Sequence, residues 1–247
     1  MDLQKLRQKN LKLIKQKIKD SVSRDILIIQ AQNMIDDINL NSAHLTKRLR
    51  DWHTLYCPEF SNSIKSNEKF VELISKKQRK ELLKELNLKE SDSMGANLNK
   101  EDLNIIIQTA KSLNRLYTQK QSIENYIQNV MEEVCPNLLA VTGSAIGAKL
   151  LSLSGSLERL SEMPSSTIQL LGAEKALFRH ISGKGKSPKH GIIVTHALMN
   201  RHSDKEKGRV ARVLADKISI AAKVDFFRGN FIGDKLRKDL DKRFKKK

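Results

Sequence analysis

The sequence predicts an all-α protein with a long antiparallel coiled-coil arm, a small helical insertion at the tip of that arm, and a compact helical domain after it. Two stretches of about 30 residues each repeat apolar side chains in steps of three and four, the spacing of coiled-coil helices. After Pro136 small residues and recurring glycines replace this repeat. The 247 residues are enough to bury a core without disulfide or metal support.

Residues 1–23 form the first predicted element, a lead-in helix. Its apolar residues recur at helical spacing among seven basic side chains. These apolar residues are Leu3, Leu6, Leu11, Ile14, Ile18 and Val22. We interpret the segment as a helix that leads into the arm.

The arm is predicted over residues 24–134, and its first helix carries the stronger repeat. The repeat runs through Ile28, Ala31, Ile35, Ile38, Ser42, Leu45, Leu49, Trp52 and Tyr56. Pro58 predicts the end of this helix near Cys57, because proline lacks an amide hydrogen and disfavours helix in the residue before it.

The second helix of the arm begins after Asn99, a predicted N-cap. Its repeat runs through Leu103, Ile106, Ala110, Leu113, Leu116, Lys120, Ile123, Ile127, Val130 and Val134. Residues 58–98 between the two helices form the tip insertion. The two repeats can bury each other as an antiparallel pair about 45 Å long. The predicted coiled-coil residues are Ile35, Ile38, Leu45, Leu49, Trp52, Leu103, Ile106, Leu113, Ile123 and Ile127.

The charge predicts a polyanionic partner for residues 135–247, the compact domain. The chain has 46 Lys and Arg against 28 Asp and Glu, a net charge of +18. Residues 135–247 hold 23 of these basic and 10 of these acidic residues, net +13, which leaves net +5 for the first 134. So large an excess favours nucleic acid. A well-solvated surface is the alternative reading of the same charge.

Two basic surfaces are predicted within residues 135–247. In a helix that begins at Asp204, Lys205, Arg209 and Arg212 fall on one stripe, opposite an apolar stripe that faces the core. A glycine-rich segment also carries Lys184, Lys186 and Lys189, and such loops can follow an RNA backbone closely. We expect three phenylalanines of this domain, Phe178, Phe226 and Phe227, to lie in the core, and stacking of one of them on an RNA base is the alternative.

Enzymatic, metal and membrane functions lack support in the sequence. Gly143-Ser-Ala-Ile-Gly-Ala-Lys149 imitates a phosphate-binding loop, but its lysine does not directly follow the second glycine. His190 and His196 have no carboxylate or cysteine at ligand spacing, and Cys57 and Cys135 are expected too far apart for a disulfide. No apolar run reaches the ~20 residues of a membrane span. We therefore expect a non-enzymatic protein without a metal, a cofactor or a membrane segment.

Several blocks of the sequence, in a fixed order along the chain, carry a family resemblance. In the arm they are Arg24-Asp-Ile-Leu-Ile-Ile-Gln30 and Leu49-Arg-Asp-Trp52. In residues 135–247 they are Gly143-Ser-Ala-Ile-Gly-Ala-Lys149, Gly155-Ser-Leu-Glu-Arg-Leu160, Pro164 to Gln169, Gly172-Ala-Glu-Lys-Ala-Leu-Phe-Arg179, Pro188-Lys-His-Gly191 and Ile220-Ala-Ala-Lys-Val-Asp225. Over residues 24–247 the chain resembles the Nop-domain family, the box C/D ribonucleoprotein scaffolds of archaea and the eukaryotic nucleolus, with a spliceosomal relative.

The resemblance implies that residues 135–247 form a Nop domain that recognises the kink-turn of a box C/D guide RNA jointly with a ribosomal-type kink-turn-binding protein. It implies a homodimer formed through the coiled coil. It also implies that fibrillarin, and not the scaffold, carries out the guide-directed ribose 2′-O-methylation of the particle.

The resemblance also implies RNA contacts, by position, for the segments Gly172 to Lys175 and Ala176 to Arg179. Arg228 occupies a place similar to an RNA-contacting one in the spliceosomal relative. Together with the two basic surfaces, the residues predicted to bind RNA are Gly172, Ala173, Glu174, Lys175, Arg179, Lys184, Lys186, Lys189, His190, Lys205, Arg209, Arg212, Lys223 and Arg228.

Two other functions stay open. One is a spliceosomal-type kink-turn clamp, although the intact run from Gly172 to Phe178 favours the box C/D branch. The other is a coiled-coil adaptor without specific RNA binding. Box C/D members usually bind fibrillarin through an N-terminal α/β domain, for which residues before Arg24 are too short, so we expect a shortened chain or a minimal member. The basic tail at 245–247 favours an archaeal, cytoplasmic protein, and a eukaryotic one would be nucleolar.

Overall fold

The structure, a computed structural model, describes residues 3–244, so the predicted basic tail at 245–247 lies outside the described residues. Within them, fourteen α-helices and two short 3-10 turns carry the fold, and there is no strand. The predicted all-α fold class is therefore confirmed.

The helices follow one another with short connections. They are α1 (Leu3–Asp20), α2 (Arg24–Thr54), α3 (Pro58–Ser63), α4 (Asn67–Lys76), α5 (Arg79–Glu85), α6 (Lys100–Val134), α7 (Pro136–Thr142), α8 (Ser144–Ser154), α9 (Leu157–Glu162), α10 (Ser165–Leu170), α11 (Glu174–Ile181), α12 (Ala197–Asn200), α13 (Asp204–Phe226) and α14 (Gly233–Arg243). The 3-10 turns are Glu90–Asp92 and Ile192–Thr195.

The two long helices of the predicted arm are present as α2 and α6. Asn99 caps α6 as predicted, because its side-chain oxygen accepts a hydrogen bond of 2.8 Å from the Asp102 amide. The chain divides into two compact units, residues 34–125 on the one hand and residues 1–33 with 126–247 on the other. Both α2 and α6 run from one unit into the other.

The unit formed by residues 34–125 has a core of its own. Aromatic and aliphatic side chains of α3, α4 and α5 pack there with the last turns of α2 and the first turns of α6. Its largest fully buried members are Leu49, Phe60, Phe70, Leu82, Leu83, Ile106 and Leu113. The tip insertion is therefore an integral part of the core that holds α2 and α6 together.

The buried stripe of α2 departs from the predicted repeat at two positions. It runs through Ile35, Ile38, Ser42, Thr46, Leu49 and His53. The prediction that Leu45 and Trp52 lie in this seam is wrong, because their exposed fractions are 49% and 41%. Two polar residues take their places because each finds a partner inside: the Thr46 hydroxyl lies 3.1 Å from the Tyr117 hydroxyl, and His53 bonds to Ser61. A prediction from apolar spacing excludes such polar residues from the core, because the spacing does not show their hydrogen-bond partners.

On α6 none of the five predicted coiled-coil residues is exposed. Ile106, Leu113 and Ile127 are buried, and Leu103 and Ile123 are half-buried.

His53 is a buried histidine that the structure keeps neutral. Its Nδ1 lies 2.8 Å from the Ser61 Oγ, whose hydroxyl in turn donates to the Cys57 carbonyl. The rings of Phe60 and Phe70 surround it at centroid distances of 6.2 and 5.6 Å. Burial, and then the charge of the nearby Arg50 guanidinium, lower the pKa of His53 from 6.5 to about 4.

We expect this histidine to make the protein acid-labile. Between pH 6.5 and about 4 the unfolded chain binds a proton at His53 that the folded chain does not, so its contribution to the free energy of unfolding is full above pH 6.5 and falls as the pH approaches 4. The loss is on the order of 3 kcal/mol. Urea unfolding at several pH values, for the wild type and for His53→Asn, measures it. A difference between the two proteins that does not change between pH 7 and 4 would contradict the expectation.

In the other unit, α13 is the central helix. One face of it is buried through Val210, Leu214, Ile218 and Ala221, against helices that include α7, α9, α10 and α14. At its C-terminal end the buried Asp225 carboxylate accepts hydrogen bonds from the Asn137 side chain and from the backbone amides of Asn137 and Leu138. These bonds fix the start of α7 on α13. The exposed face of α13 is left free for other contacts.

A close approach of helices occurs at Gly147 in α8. A Cβ atom added there would lie 2.5 Å from the Met131 Cε and 2.8 Å from the Thr142 Oγ1. Only glycine allows this packing without a shift of its neighbours.

Candidate RNA interface

Residues 172–190, here called the basic hairpin, leave the fold and return to it at one point. The Ile192 amide donates to the Leu171 carbonyl at 2.8 Å, and the Gly191 amide donates to the Gln169 carbonyl at 2.7 Å. A Cβ on Gly191 would lie 2.0 Å from the Leu171 carbonyl oxygen, so glycine is required where the backbone at Gly191 passes the backbone at Leu171. The hairpin is thus fastened at its base.

Helix α11 projects from this base with all its side chains accessible to partners. Gly172 makes the turn into it with φ +87°, and the Gly172 amide donates to the Glu174 carboxylate at 2.7 Å. None of its eight residues is buried. Phe178 is 68% and Ile181 is 71% exposed. The predicted contact residues Lys175 and Arg179 lie exposed on the same helix.

The glycine-rich half of the hairpin folds back on α11. The Lys184 amide donates to the Arg179 carbonyl at 2.8 Å, and the His180 Nδ1 lies 2.9 Å from the Gly185 carbonyl oxygen. The Gln169 side-chain amide holds the Lys189 carbonyl at 2.7 Å. The cations of this segment are therefore carried on an ordered turn, with Lys184, Lys186 and Lys189 all exposed.

The second predicted surface, the start of α13, lies beside the end of the hairpin. A capping box between Ser203 and Glu206 begins the helix. The Asp204 carboxylate has a lowered pKa because Lys207 hydrogen-bonds to it and attracts its charge, and the charges of Lys189 and His190 add to this effect. The last residues of the hairpin are thus near enough to α13 to act on its first residue.

The predicted RNA-binding residues lie on the basic hairpin and on the first turns of α13, except for two that lie further along the chain. Ten lysines and arginines but only three carboxylates lie between residues 172 and 212. Lys205, Arg209 and Arg212 are exposed on α13 as predicted. Lys223 shares their face of the helix but lies about 21 Å beyond Arg209. The exposed Asp216 interrupts the face between them.

Arg228 directly follows the end of α13, near Lys223. It adopts a left-handed backbone with φ 53°, and the Gly229 amide closes the helix on the Val224 carbonyl at 2.8 Å. Arg228 and Lys223 form a separate exposed patch.

The expectation that Phe178 and Phe227 lie in the core is wrong. Phe178 is 68% and Phe227 is 75% exposed, and Phe226 is half-buried. Phe178 lies on α11, a short helix between turns at Gly172 and Gly183 that buries none of its eight residues. The exposed Phe178 and Ile181 are candidate site residues that the reading of apolar spacing did not place on the surface. The close spacing of Gly172 and Gly183 in the sequence was a signal that could have revealed their exposure.

In the described part of the chain, no three His, Cys, Asp or Glu side chains lie close enough together to hold a metal ion. Cys57 and Cys135 are both free and buried. No single helix among these residues is long and apolar enough to cross a membrane. Only α7 and α8 taken together, bent by 117° at their junction, satisfy the length and composition criteria.

Comparison with known proteins connects this interface to one family. The Nop family, described as "snoRNA binding domain, fibrillarin", matches residues 34–246. The chain is 37% identical over 234 residues to an uncharacterized NOP5 family protein of Methanocaldococcus jannaschii, covering 89% of this chain and 56% of that protein. It is 33% identical over 249 residues to nucleolar protein 56 of Homo sapiens, covering 92% of this chain and 42% of that protein.

A solved structure has a similar fold. A chain in the crystal structure of the fibrillarin/Nop5p complex superposes with a TM-score of 0.59 and 25% sequence identity, covering 98% of this chain and 77% of that one. The present chain spans about half the length of the curated relatives it matches.

Proposed function

The chain belongs to the Nop family, and we propose that it is a non-enzymatic RNA-binding scaffold of a box C/D ribonucleoprotein. In this proposal it recognises kink-turn RNA jointly with a kink-turn-binding protein. The particle then directs ribose 2′-O-methylation by fibrillarin. The names of the relatives, among them the nucleolar proteins and the fibrillarin/Nop5p complex, support this assignment at the level of the particle.

The observation that carries the joint recognition is the mixed surface of α11. Lys175 and Arg179 offer cations to phosphates, whereas Phe178 and Ile181 offer large apolar side chains that are mostly exposed. Phosphates do not bury apolar surface, so we assign Phe178 and Ile181 to a second partner, the kink-turn-binding protein. An RNA and a protein that meet at one helix supply both requirements.

The fastening of the basic hairpin supports the same proposal. A flexible loop would lose conformational entropy when it bound RNA. The hairpin is held at its base by Gln169, Gly191 and Ile192, and its turn is bonded to α11. It therefore presents its cations in one arrangement, which suits recognition of a folded RNA by shape.

Self-association through α2 is the second part of the proposal. Met34, Leu45 and Trp52 are 50%, 49% and 41% exposed. At 100° per residue they fall within about 20° of one another around the helix axis, and so form one apolar stripe beside the buried one. A second copy of the chain can cover this stripe, because a homodimer places the same surface on both partners.

Direct binding of fibrillarin to residues 3–244 is not part of the proposal. The resemblance assigns that contact to an α/β domain, and the described residues contain no strand. Fibrillarin enters here only as the methyltransferase of the particle.

The test is a titration of a labelled kink-turn RNA with this chain, alone and in the presence of a kink-turn-binding protein. We expect the partner protein to tighten binding at least about tenfold, a coupling free energy of 1–3 kcal/mol being typical. RNA binding that is unchanged by the partner would overturn joint recognition. Absence of RNA binding in both titrations would favour a coiled-coil adaptor.

A further inference from the structure

The lead-in helix α1 accounts for the net positive charge of residues 1–134. Residues 3–19 contain seven lysines and arginines and no aspartate or glutamate. Residues 20–134 contain 16 basic and 17 acidic residues, a net charge of −1. The protein therefore has two cationic regions, α1 and residues 135–247, and a nearly neutral stretch of sequence between them.

Five of the six lysines of α1 share one face of the helix. At 100° per residue these five, Lys5, Lys9, Lys12, Lys15 and Lys19, fall within about 120° around the axis. Their spacing of three or four residues places neighbouring lysines about 5 Å apart along a line of about 21 Å. All five side chains are exposed. Leu3, Leu6, Ile14 and Ile18 lie about 120° or more from the centre of this face, with Arg7 and Lys17 among them.

This arrangement is unfavourable for the isolated helix. Lysines at i,i+3 and i,i+4 repel one another, by about 0.2–0.5 kcal/mol for each pair in an exposed helix. The first turn contains no acidic residue to complement the positive end of the helix dipole. A polyanion along the lysine face would relieve the repulsion, so the face is complementary to a line of phosphates.

We propose that α1 is a second RNA-binding element, which holds the sugar-phosphate backbone without reading sequence. It lies outside residues 34–246, the part of the chain that matches the Nop family, and it needs neither a kink-turn nor a partner protein. RNA is favoured over a lipid surface because residues 3–19 contain no aromatic residue, the side chains that anchor amphipathic helices at membrane interfaces.

The test compares two variants of the full chain that remove the same charge. In the first, Lys5, Lys9, Lys12, Lys15 and Lys19 are replaced by Gln, whose helix propensity is close to that of Lys. In the control, five exposed lysines of the unit 34–125 are replaced by Gln: Lys47, Lys65, Lys69, Lys89 and Lys111. Circular dichroism checks that both variants remain helical.

RNA affinity is measured by fluorescence anisotropy over a series of KCl concentrations, with a kink-turn RNA that carries a long flanking stem and with an RNA duplex that has no kink-turn. We expect the α1 variant to lose at least about tenfold in affinity for both RNAs and to reduce the log–log salt slope by roughly 3.5–4.5, since each of the five phosphate contacts contributes about 0.7–0.9. The control variant should retain the wild-type slope. Equal losses in the two variants would overturn the proposal, because they would indicate only a long-range effect of net charge.

Hydrogen exchange gives a readout that does not depend on the substitutions. Addition of the duplex RNA to the wild-type chain should slow amide exchange in residues 3–19. Unchanged exchange there would overturn the proposal. So would binding to phosphatidylserine-containing vesicles that is tighter than RNA binding and is lost in the α1 variant. Because the duplex has no kink-turn, failure of joint kink-turn recognition leaves these outcomes unaffected.

Discussion

Reversing the charges of Lys175 and Arg179 to glutamate is expected to weaken binding of the kink-turn RNA by about 100-fold or more, since a hydrogen bond to a charged group contributes about 1.5–3 kcal/mol and each reversal adds repulsion. Both side chains project from α11, which buries none of its residues. The substitutions should therefore leave the free energy of unfolding nearly unchanged. Anisotropy with labelled RNA measures the first effect, and urea unfolding the second.

The matched control reverses Lys65 and Lys111, two exposed lysines of the unit 34–125, and changes the net charge by the same amount. It should cost less than about threefold in RNA affinity, because neither lysine is among the predicted RNA-binding residues and salt weakens the effect of net charge alone. A similar loss in the control and in the α11 variant would show that the hairpin has no special role.

The substitution Phe178→Ala distinguishes the contact of α11 with the kink-turn-binding protein from its contact with the RNA. We expect it to reduce the gain in affinity that the kink-turn-binding protein provides and to leave RNA binding in the absence of that protein nearly unchanged. An apolar anchor of this size at an interface contributes about 2 kcal/mol or more. Equal effects on both measurements would instead assign Phe178 to a base or to the ribose.

The second large effect concerns self-association. Replacing both Leu45 and Trp52 by glutamate is expected to raise the dimer dissociation constant on the order of 100-fold or more, since it puts two pairs of like charges into an interface that buries the same stripe from both copies. Sedimentation velocity over a range of concentrations measures this. Trp52 is the only tryptophan of the chain, so its fluorescence emission should also shift to the blue as the wild-type protein dimerises.

Leu40→Glu is the control for the apolar stripe. Leu40 is 60% exposed on the same helix but lies about 120° away from Met34, Leu45 and Trp52 around the axis. It should leave the dimer intact. A wild-type chain that stays monomeric at the concentrations of the experiment, or a Leu40 variant that dissociates as readily as the double variant, would contradict the proposed use of this surface.

The fold class, the two long helices and the region of positive charge could be predicted from the sequence alone. Apolar spacing is a local property, so Pro58 and Asn99 could be read as signals near the ends of α2 and α6. The family blocks between Gly143 and Asp225 agree with the match over residues 34–246. Residue counts also located the excess of basic residues in residues 135–247. They assigned a small net positive charge to residues 1–134 without showing that α1 carries it.

Which side chains of each helix face a neighbour depends on tertiary packing. Thr46 and His53 lie in the core of the unit 34–125 because Tyr117 and Ser61 supply hydrogen-bond partners there. Neither partner is a neighbour in the sequence. Leu45 and Trp52 then remain on the surface. Likewise Phe178 is exposed although its spacing is that of a core residue, because α11 buries none of its residues. Burial depends on what lies opposite a residue, and a sequence pattern records only what lies beside it along the chain.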